Sequence, residues 1–178
     1  MDSQPRFIQR GVVGTESCAA YETPVGVIHI VSDAEAITAV LYRAPTLRKL
    51  RFEATVLTDS AARQLSEYFS GKRKRFDLPM KPAGTAFQKT VWENLLKIPY
   101  GEIWNYRDIA VAVKNVRGVR AVAQTVNRNP LAILVPCHRA IGCNGKLVHY
   151  VGGLQIQDDL LRLESSDVEE RMKRMTAE

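Results

Sequence analysis

The sequence lacks any apolar run approaching the roughly 20 residues that cross a bilayer, and Met1, Asp2, Ser3, Gln4, Pro5 and Arg6 have none of the character of a secretory signal. A soluble protein of the cell interior, with no membrane partner, is expected. Cysteine is scarce: Cys18, Cys137 and Cys143 are the three present, an odd number with no CxxC pair. That pattern argues against a disulfide framework and predicts free thiols in a reducing compartment. Cys18 has no accompanying ligand set, and Cys137, His138, Cys143 and His149 lack the spacing of a closed tetrahedral site, so no metal is expected. No internal repeat or low-complexity segment is present. Acidic side chains run short in one place. Residues 101–153 hold two, Glu102 and Asp108, against seven basic ones, Arg107, Lys114, Arg117, Arg120, Arg128, Arg139 and Lys146. A polyanion is therefore expected to bind the middle of the chain, although solvated basic residues without a partner are the plainer alternative.

What is there fits an ordinary globular protein: 178 residues, 46% hydrophobic and 25% charged, with a net charge of +6. Lys81, Pro82, Ala83 and Gly84 read as a linker between residues 1–83 and 84–165, and residues 166–178 read as a charged, loosely ordered tail. In the first part, short strand-like runs at 18–21, 26–31 and 37–42 are separated by turn chemistry. A helix over 59–71 follows, with Ala62, Leu65, Tyr68 and Phe69 on one face and Gly71 as its C-cap. Lys72, Arg73, Lys74 and Arg75 lead into a brief edge strand. A solvated edge that discourages strand pairing explains this basic run, with nuclear targeting as the alternative.

In the second part, Thr85 and Gln88 make a capping box for a helix whose apolar stripe holds Phe87, Val91, Trp92, Leu95 and Leu96. Asn105 and Asp108 cap a helix over 106–113. A second helix over 117–127 places Val119, Val122, Ala123 and Val126 on one face and Arg117, Gly118, Arg120, Ala121, Gln124 and Arg128 on the other. Two short helices joined by a tight turn read as a helix-turn-helix, with a plain αα-hairpin as the alternative. Gly118 and Ala121 favour the former, because small residues let a helix backbone approach a sugar-phosphate surface. Then come Leu131, Ala132, Ile133, Leu134 and Val135, five aliphatic residues between two prolines, expected to form a strand buried on both faces. It ends at Cys137, with His138 and Arg139 beside it to favour the thiolate. A buried structural thiol is the alternative. A turn at residues 142–145 follows, and a last helix over 154–164 carries Leu154, Leu160, Leu161 and Leu163.

Val135, Pro136, Cys137, His138 and Arg139, preceded by Val119, Arg120, Ala121 and Val122 and by Asn129 and Pro130, and followed by Gly152, Gly153 and Leu154, resemble the O6-alkylguanine-DNA alkyltransferase family. The match holds in order and spacing over residues 84–164; in the first part it rests on length and position. The resemblance implies an α+β protein, with a ribonuclease-H-like α+β domain followed by a mostly helical, winged-helix-like domain that carries the helix-turn-helix. It implies direct repair of DNA: one irreversible transfer of the alkyl group from O6-alkylguanine, and from O4-alkylthymine, to Cys137, with no cofactor. The partner implied is double-stranded DNA approached through the minor groove by a monomer, cytoplasmic and nucleoid-associated in a prokaryote or nuclear in a eukaryote.

By the same resemblance His138 is the base acting through a water, Glu164 orients it, and Tyr106 donates to the purine ring. Arg120 fills the gap left by the flipped base, and Gly118, Ala121, Arg117, Gln124 and Arg107 complete the DNA-binding surface. Asn129 ties the recognition helix to the cysteine strand, and Val148, Tyr150, Val151 and Arg139 line the pocket. Four positions depart from the family pattern: Ala132 stands where many members have proline, Val148 and His149 where glycine and a small or polar residue are usual, and Val151 where serine is frequent. The bulk of Val148 should narrow the pocket mouth, so that in competition assays a benzylated guanine is expected to react less well than a methylated one. A non-catalytic lesion-binding or regulatory helix-turn-helix protein is the rival reading, against which Cys137 itself speaks. A cysteine hydrolase is disfavoured, because neighbouring strand residues point to opposite faces.

Overall fold

The computed structural model describes residues 16–45 and 50–174. Residues 1–15, 46–49 and 175–178 lie outside the described residues. Two compact units emerge, Met1–Ala83 with Pro130–Leu134, and Gly84–Asn129 with Val135–Glu178. The first is a sheet covered by a helix and the second is mostly helical, so the chain is α+β.

In the first unit β1 (Ser17–Thr23), β2 (Gly26–Ser32) and β3 (Ile37–Leu41) form an antiparallel meander, and β4 (Arg51–Phe52) adds in parallel to β1, giving the order β3-β2-β1-β4. Alternate residues Ile28 and Ile30 of β2 turn inward, and Ile37 and Val40 of β3 are buried with them. They meet α1 (Val56–Phe69), which starts three residues before the sequence expectation because Thr55 and Thr58 form its capping box. Its buried face holds Ala61, Leu65 and Tyr68 together with Thr58 and Gln64, while Ala62 and Phe69 are half-buried. Beyond the basic run, residues 79–81 bridge β3 through Ile37 N to Pro79 O at 2.8 Å and Lys81 N to Ile37 O at 2.9 Å. There Lys81 pairs with Asp33 at 2.9 Å.

The aliphatic run is not a strand. Leu131 makes an isolated bridge to Val40, and the chain then reverses in a γ-turn at Ile133, where Leu134 N donates to Ala132 O at 2.8 Å and φ is +68°. A β-branched residue rarely adopts that conformation, and its burial in the core holds it there. Pro136 closes a second turn of the same size, with φ −77° and ψ 61° and a 2.7 Å bond from Cys137 N to Val135 O. Burial and β-propensity read alike for a strand and for a buried pair of reversals, which is why the run suggested the former.

The second unit opens with α2 (Ala86–Leu95), capped as expected by Thr85 and Gln88, and its Trp92 indole donates to Thr125 O at 2.9 Å. β5 (Trp104–Asn105) runs into α3 (Tyr106–Ala112), capped by Asn105 and Asp108. A 3-10 turn at Val116–Gly118 leads to α4 (Val119–Val126), which buries Val122, Thr125 and Val126. A second 3-10 turn at Cys137–Arg139 carries the cysteine, and β6 (Ala140–Ile141) pairs in parallel with β5. α5 (Leu154–Glu164) buries Gln157, Leu160, Leu161 and Glu164, while Leu154 is exposed.

The tail corrects another expectation. Instead of being loosely ordered, its described part forms α6 (Val168–Arg174). Val168 packs with Ile103, Ile141 and Leu161, Met172 rests against that cluster, and Arg171 holds Glu102 at 2.6 Å and Gly101 O at 2.9 Å. Charge dominates the tail's composition, yet one aliphatic face is enough to dock it.

Candidate active site

The second unit converges on the Cys137–Arg139 turn. α4 ends just before Asn129, the last residue before the chain leaves this unit, and Val135 is the first on its return. The Asn129 amide joins the two ends, donating to Val135 O at 2.9 Å and to Cys137 Sγ at 3.1 Å. Cys137 is 3% exposed. Burial pushes its thiol up to about 11, against the opposing pull of hydrogen bonds from Asn129, the Cys137 and His138 backbone and the Tyr150 hydroxyl. The expectation that His138 and Arg139 favour the thiolate therefore needs correcting: the Arg139 guanidinium is turned to Glu164, and burial keeps the Cys137 thiol protonated.

Arg139 is committed to Glu164. Its Nε donates to Oε2 at 2.8 Å and its Nη2 to Oε1 at 3.0 Å, while Nη1 takes Ile98 O at 2.6 Å. Its guanidinium donors are thus spent on Glu164 and Ile98 O. Glu164 also accepts from Gly101 N at 3.0 Å and meets His138 Nε2 at 2.8 Å. Gly101 sits at φ +78°, and a side chain there would crowd Glu164 O, so glycine is needed for this approach. Burial alone would raise the Glu164 carboxyl, but the hydrogen bonds from His138 and Arg139 and the charge of Arg139 outweigh it and hold the group well below the usual carboxylate range. Burial pushes the His138 imidazole down, and Arg139 adds to that against the pull of Glu164. The imidazole is thus neutral beside an acceptor-only carboxylate. Nε2 must carry the proton, and Nδ1, buried and without a partner, is left as an acceptor.

Cys137 and His138 lie in one 3-10 turn, so the opposed-faces argument from a strand does not hold. The Tyr150 ring stands edge-on to the His138 ring, with centroids 6.5 Å apart. Tyr106, at the start of α3, is buried, and burial first, then the charges of Cys137 and Cys143, push its phenol up to about 12. It keeps its proton as a hydrogen-bond donor. Val148 and Val151 are exposed, and Val148 lies over Gly142, where a Cβ would come within 2.6 Å of its Cγ2.

Arg107 on α3 and Arg117, Arg120, Ala121 and Gln124 on and before α4 are all exposed. Gly118 is half-buried, with its Cα against the Asn115 amide, so packing accounts for this glycine whatever surface α4 meets. Gln157 escaped the sequence reading. It is fully buried and its Nε2 donates at 3.1 Å to both His138 O and Ala140 O. Its signal was a polar residue seven positions before Glu164, on the stripe otherwise holding Leu160 and Leu161. Among the described residues, no group of three or more His, Cys, Asp or Glu side chains is placed to hold a metal ion.

Comparison with known proteins adds two family matches: the ribonuclease-like domain of 6-O-methylguanine DNA methyltransferase over residues 17–82 and its DNA binding domain over residues 86–166. A methylated-DNA–protein-cysteine methyltransferase of Methanosarcina acetivorans is 43% identical over 152 residues, 83% of this chain and 97% of that one. The constitutive protein of the same description from Bacillus subtilis is 40% identical over 158 residues, covering 84% and 96%. A crystal structure of Mycobacterium tuberculosis OGT in complex with DNA superposes with a TM-score of 0.79 at 36% identity, covering 84% of this chain and 93% of that one.

Proposed function

Since the chain belongs to the 6-O-methylguanine DNA methyltransferase family, we infer that it repairs DNA directly by taking the alkyl group of O6-alkylguanine onto Sγ of Cys137. The observation that carries the choice of residues is the buried thiol held by Asn129 and Tyr150, next to a neutral imidazole whose free nitrogen is backed by an ionised carboxylate. With a thiol pKa of about 11, only about one molecule in ten thousand is a thiolate at pH 7. A base at the moment of reaction is therefore needed.

His138 Nδ1 takes the thiol proton, through one water, and the imidazolium that forms is stabilised by Glu164. The Sγ electron pair then attacks the alkyl carbon in line. The S–C bond forms as the C–O6 bond breaks, and the electron pair stays on the guanine, where N1 takes up the proton originally on the thiol. Tyr106 donates to the purine ring as that negative charge develops. The product thioether has no route back, so each chain reacts once. O4-alkylthymine offers the same displacement.

To reach Sγ the base must leave the duplex, at a cost of roughly a few kcal/mol, and Arg120 takes its place from the minor groove. Arg120→Ala is expected to weaken binding to the lesion and, if the side chain also neutralises a phosphate, to reduce the salt slope of binding by about one. Fluorescence anisotropy over a salt series measures both; unchanged affinity for lesion DNA removes Arg120 from the interface. The whole reading is tested by incubating the protein with an oligonucleotide bearing O6-methylguanine. The peptide containing Cys137 should gain the mass of one CH2 in stoichiometric amount. Binding without modification would instead indicate a lesion-recognition module.

A further inference from the structure

α5 meets the nucleophile turn twice. At its C-terminal end Glu164 holds the side chains of His138 and Arg139. Two helical turns earlier, on the same face, Gln157 holds the backbone, donating from Nε2 at 3.1 Å to His138 O and at 3.1 Å to Ala140 O. Residues seven apart nearly eclipse on a helix, about 10.5 Å apart along its axis, so the helix grips the turn at two separated points. Gln157 is 0% exposed, and its own Oε1 has no partner among the described residues. A buried amide with one end unsatisfied is costly, and Leu or Met would fill the same space without that cost. What Gln supplies and they do not is the pair of donors to the carbonyls flanking Arg139.

We propose that Gln157 is a positioning residue for alkyl transfer, fixing the turn so that His138 Nδ1 and Cys137 Sγ keep the orientation that proton removal requires. It touches neither the lesion nor the reacting atoms and acts through the backbone of residues 138 and 140. The proposal rests on the alkyl-transfer reading above and adds a requirement to it.

Single-turnover methyl transfer at saturating O6-methylguanine DNA, followed across pH, tests it with two near-isosteric variants. Gln157→Met removes both donors and is expected to transfer between about tenfold and a hundredfold more slowly, with DNA affinity unchanged. Gln157→Glu faces the two carbonyls with a carboxylate at neutral pH and is expected to be slower still. Its burial raises its pKa, and once protonated it can donate to one carbonyl, so its rate relative to wild type should climb as pH falls. Relief of charge repulsion alone would bring the Glu variant up to the rate of the Met variant, whereas a regained donor carries it beyond that rate as pH falls. Met-variant rates within about twofold of wild type at DNA saturation, or a Glu-to-wild-type ratio flat with pH, overturn the proposal while leaving alkyl transfer intact. A wild-type chain whose Cys137 stays unmodified overturns both.

Discussion

Cys137→Ser is expected to bind lesion DNA and transfer nothing. The hydroxyl is smaller than the thiol and keeps the bonding capacity that Asn129 and Tyr150 address, so the turn should hold its shape. Its chemistry fails for two reasons. The site already pushes a thiol up to about 11, and an alcohol, far less acidic to begin with, stays protonated there at any pH the fold tolerates. Oxygen is also a harder and poorer nucleophile toward a saturated carbon than sulfur. Peptide mass analysis after incubation with O6-methylguanine DNA, beside a binding titration, separates the two properties. The decisive control is Cys143, which is exposed and free. Should the Ser variant gain a methyl there at the wild-type rate, the nucleophile has been misassigned.

Glu164→Ala is expected to cost both stability and rate. The substitution leaves Arg139, whose side chain is 8% exposed, without its counter-charge, and it strips an acceptor from Gly101 N and His138 Nε2. Breaking a buried ion pair from one side costs about 3–5 kcal/mol, which for a chain of this size lowers Tm by roughly 6–20 °C. Transfer should slow by about 10²–10⁴-fold, the usual worth of a positioned base, because the imidazole loses the group that fixes its tautomer. The two effects can be separated. Glu164→Leu combined with Arg139→Met removes both charges, so calorimetry should show much of the stability restored while single-turnover kinetics stay slow. A single variant that transfers at the wild-type rate would remove Glu164 from the relay.

The pH dependence of stability follows from the same groups. The folded-state pKa of His138 is depressed, so its contribution is present above its ordinary value of 6.5 and drains away as pH falls below it. The Glu164 carboxyl is also depressed, and its contribution, present above 4.5, is lost as pH falls further. Glu164→Ala should flatten that lower limb in denaturation titrations. At the alkaline end Cys137 is raised, so its contribution disappears as pH climbs from 9.0 through about 11.

The sequence by itself determined the elements whose causes are local. The capping pairs Thr85 with Gln88 and Asn105 with Asp108 set helix starts at the right residues, because a cap is a bond between positions three apart. The stripe of α4 determined which of its faces turns inward. The family resemblance carried by Arg120, Asn129, Cys137, His138 and Gly153 pointed to a cysteine chemistry on DNA. Only the tertiary structure decided what those residues meet. The aliphatic run became two tight reversals because its partner is Val40, 91 residues earlier in the chain. Arg139 went to Glu164 and away from the thiol because α5 folds back over the turn, and Gln157 joined the site from a stripe that composition marks as core. Burial made the difference in each case. The ordinary pKa of a thiol or imidazole and the intrinsic preference of an aliphatic run are properties of an exposed chain. The shift of Cys137 to about 11, the empty acceptor on His138 and the left-handed Ile133 exist only once neighbours distant in sequence have displaced the water.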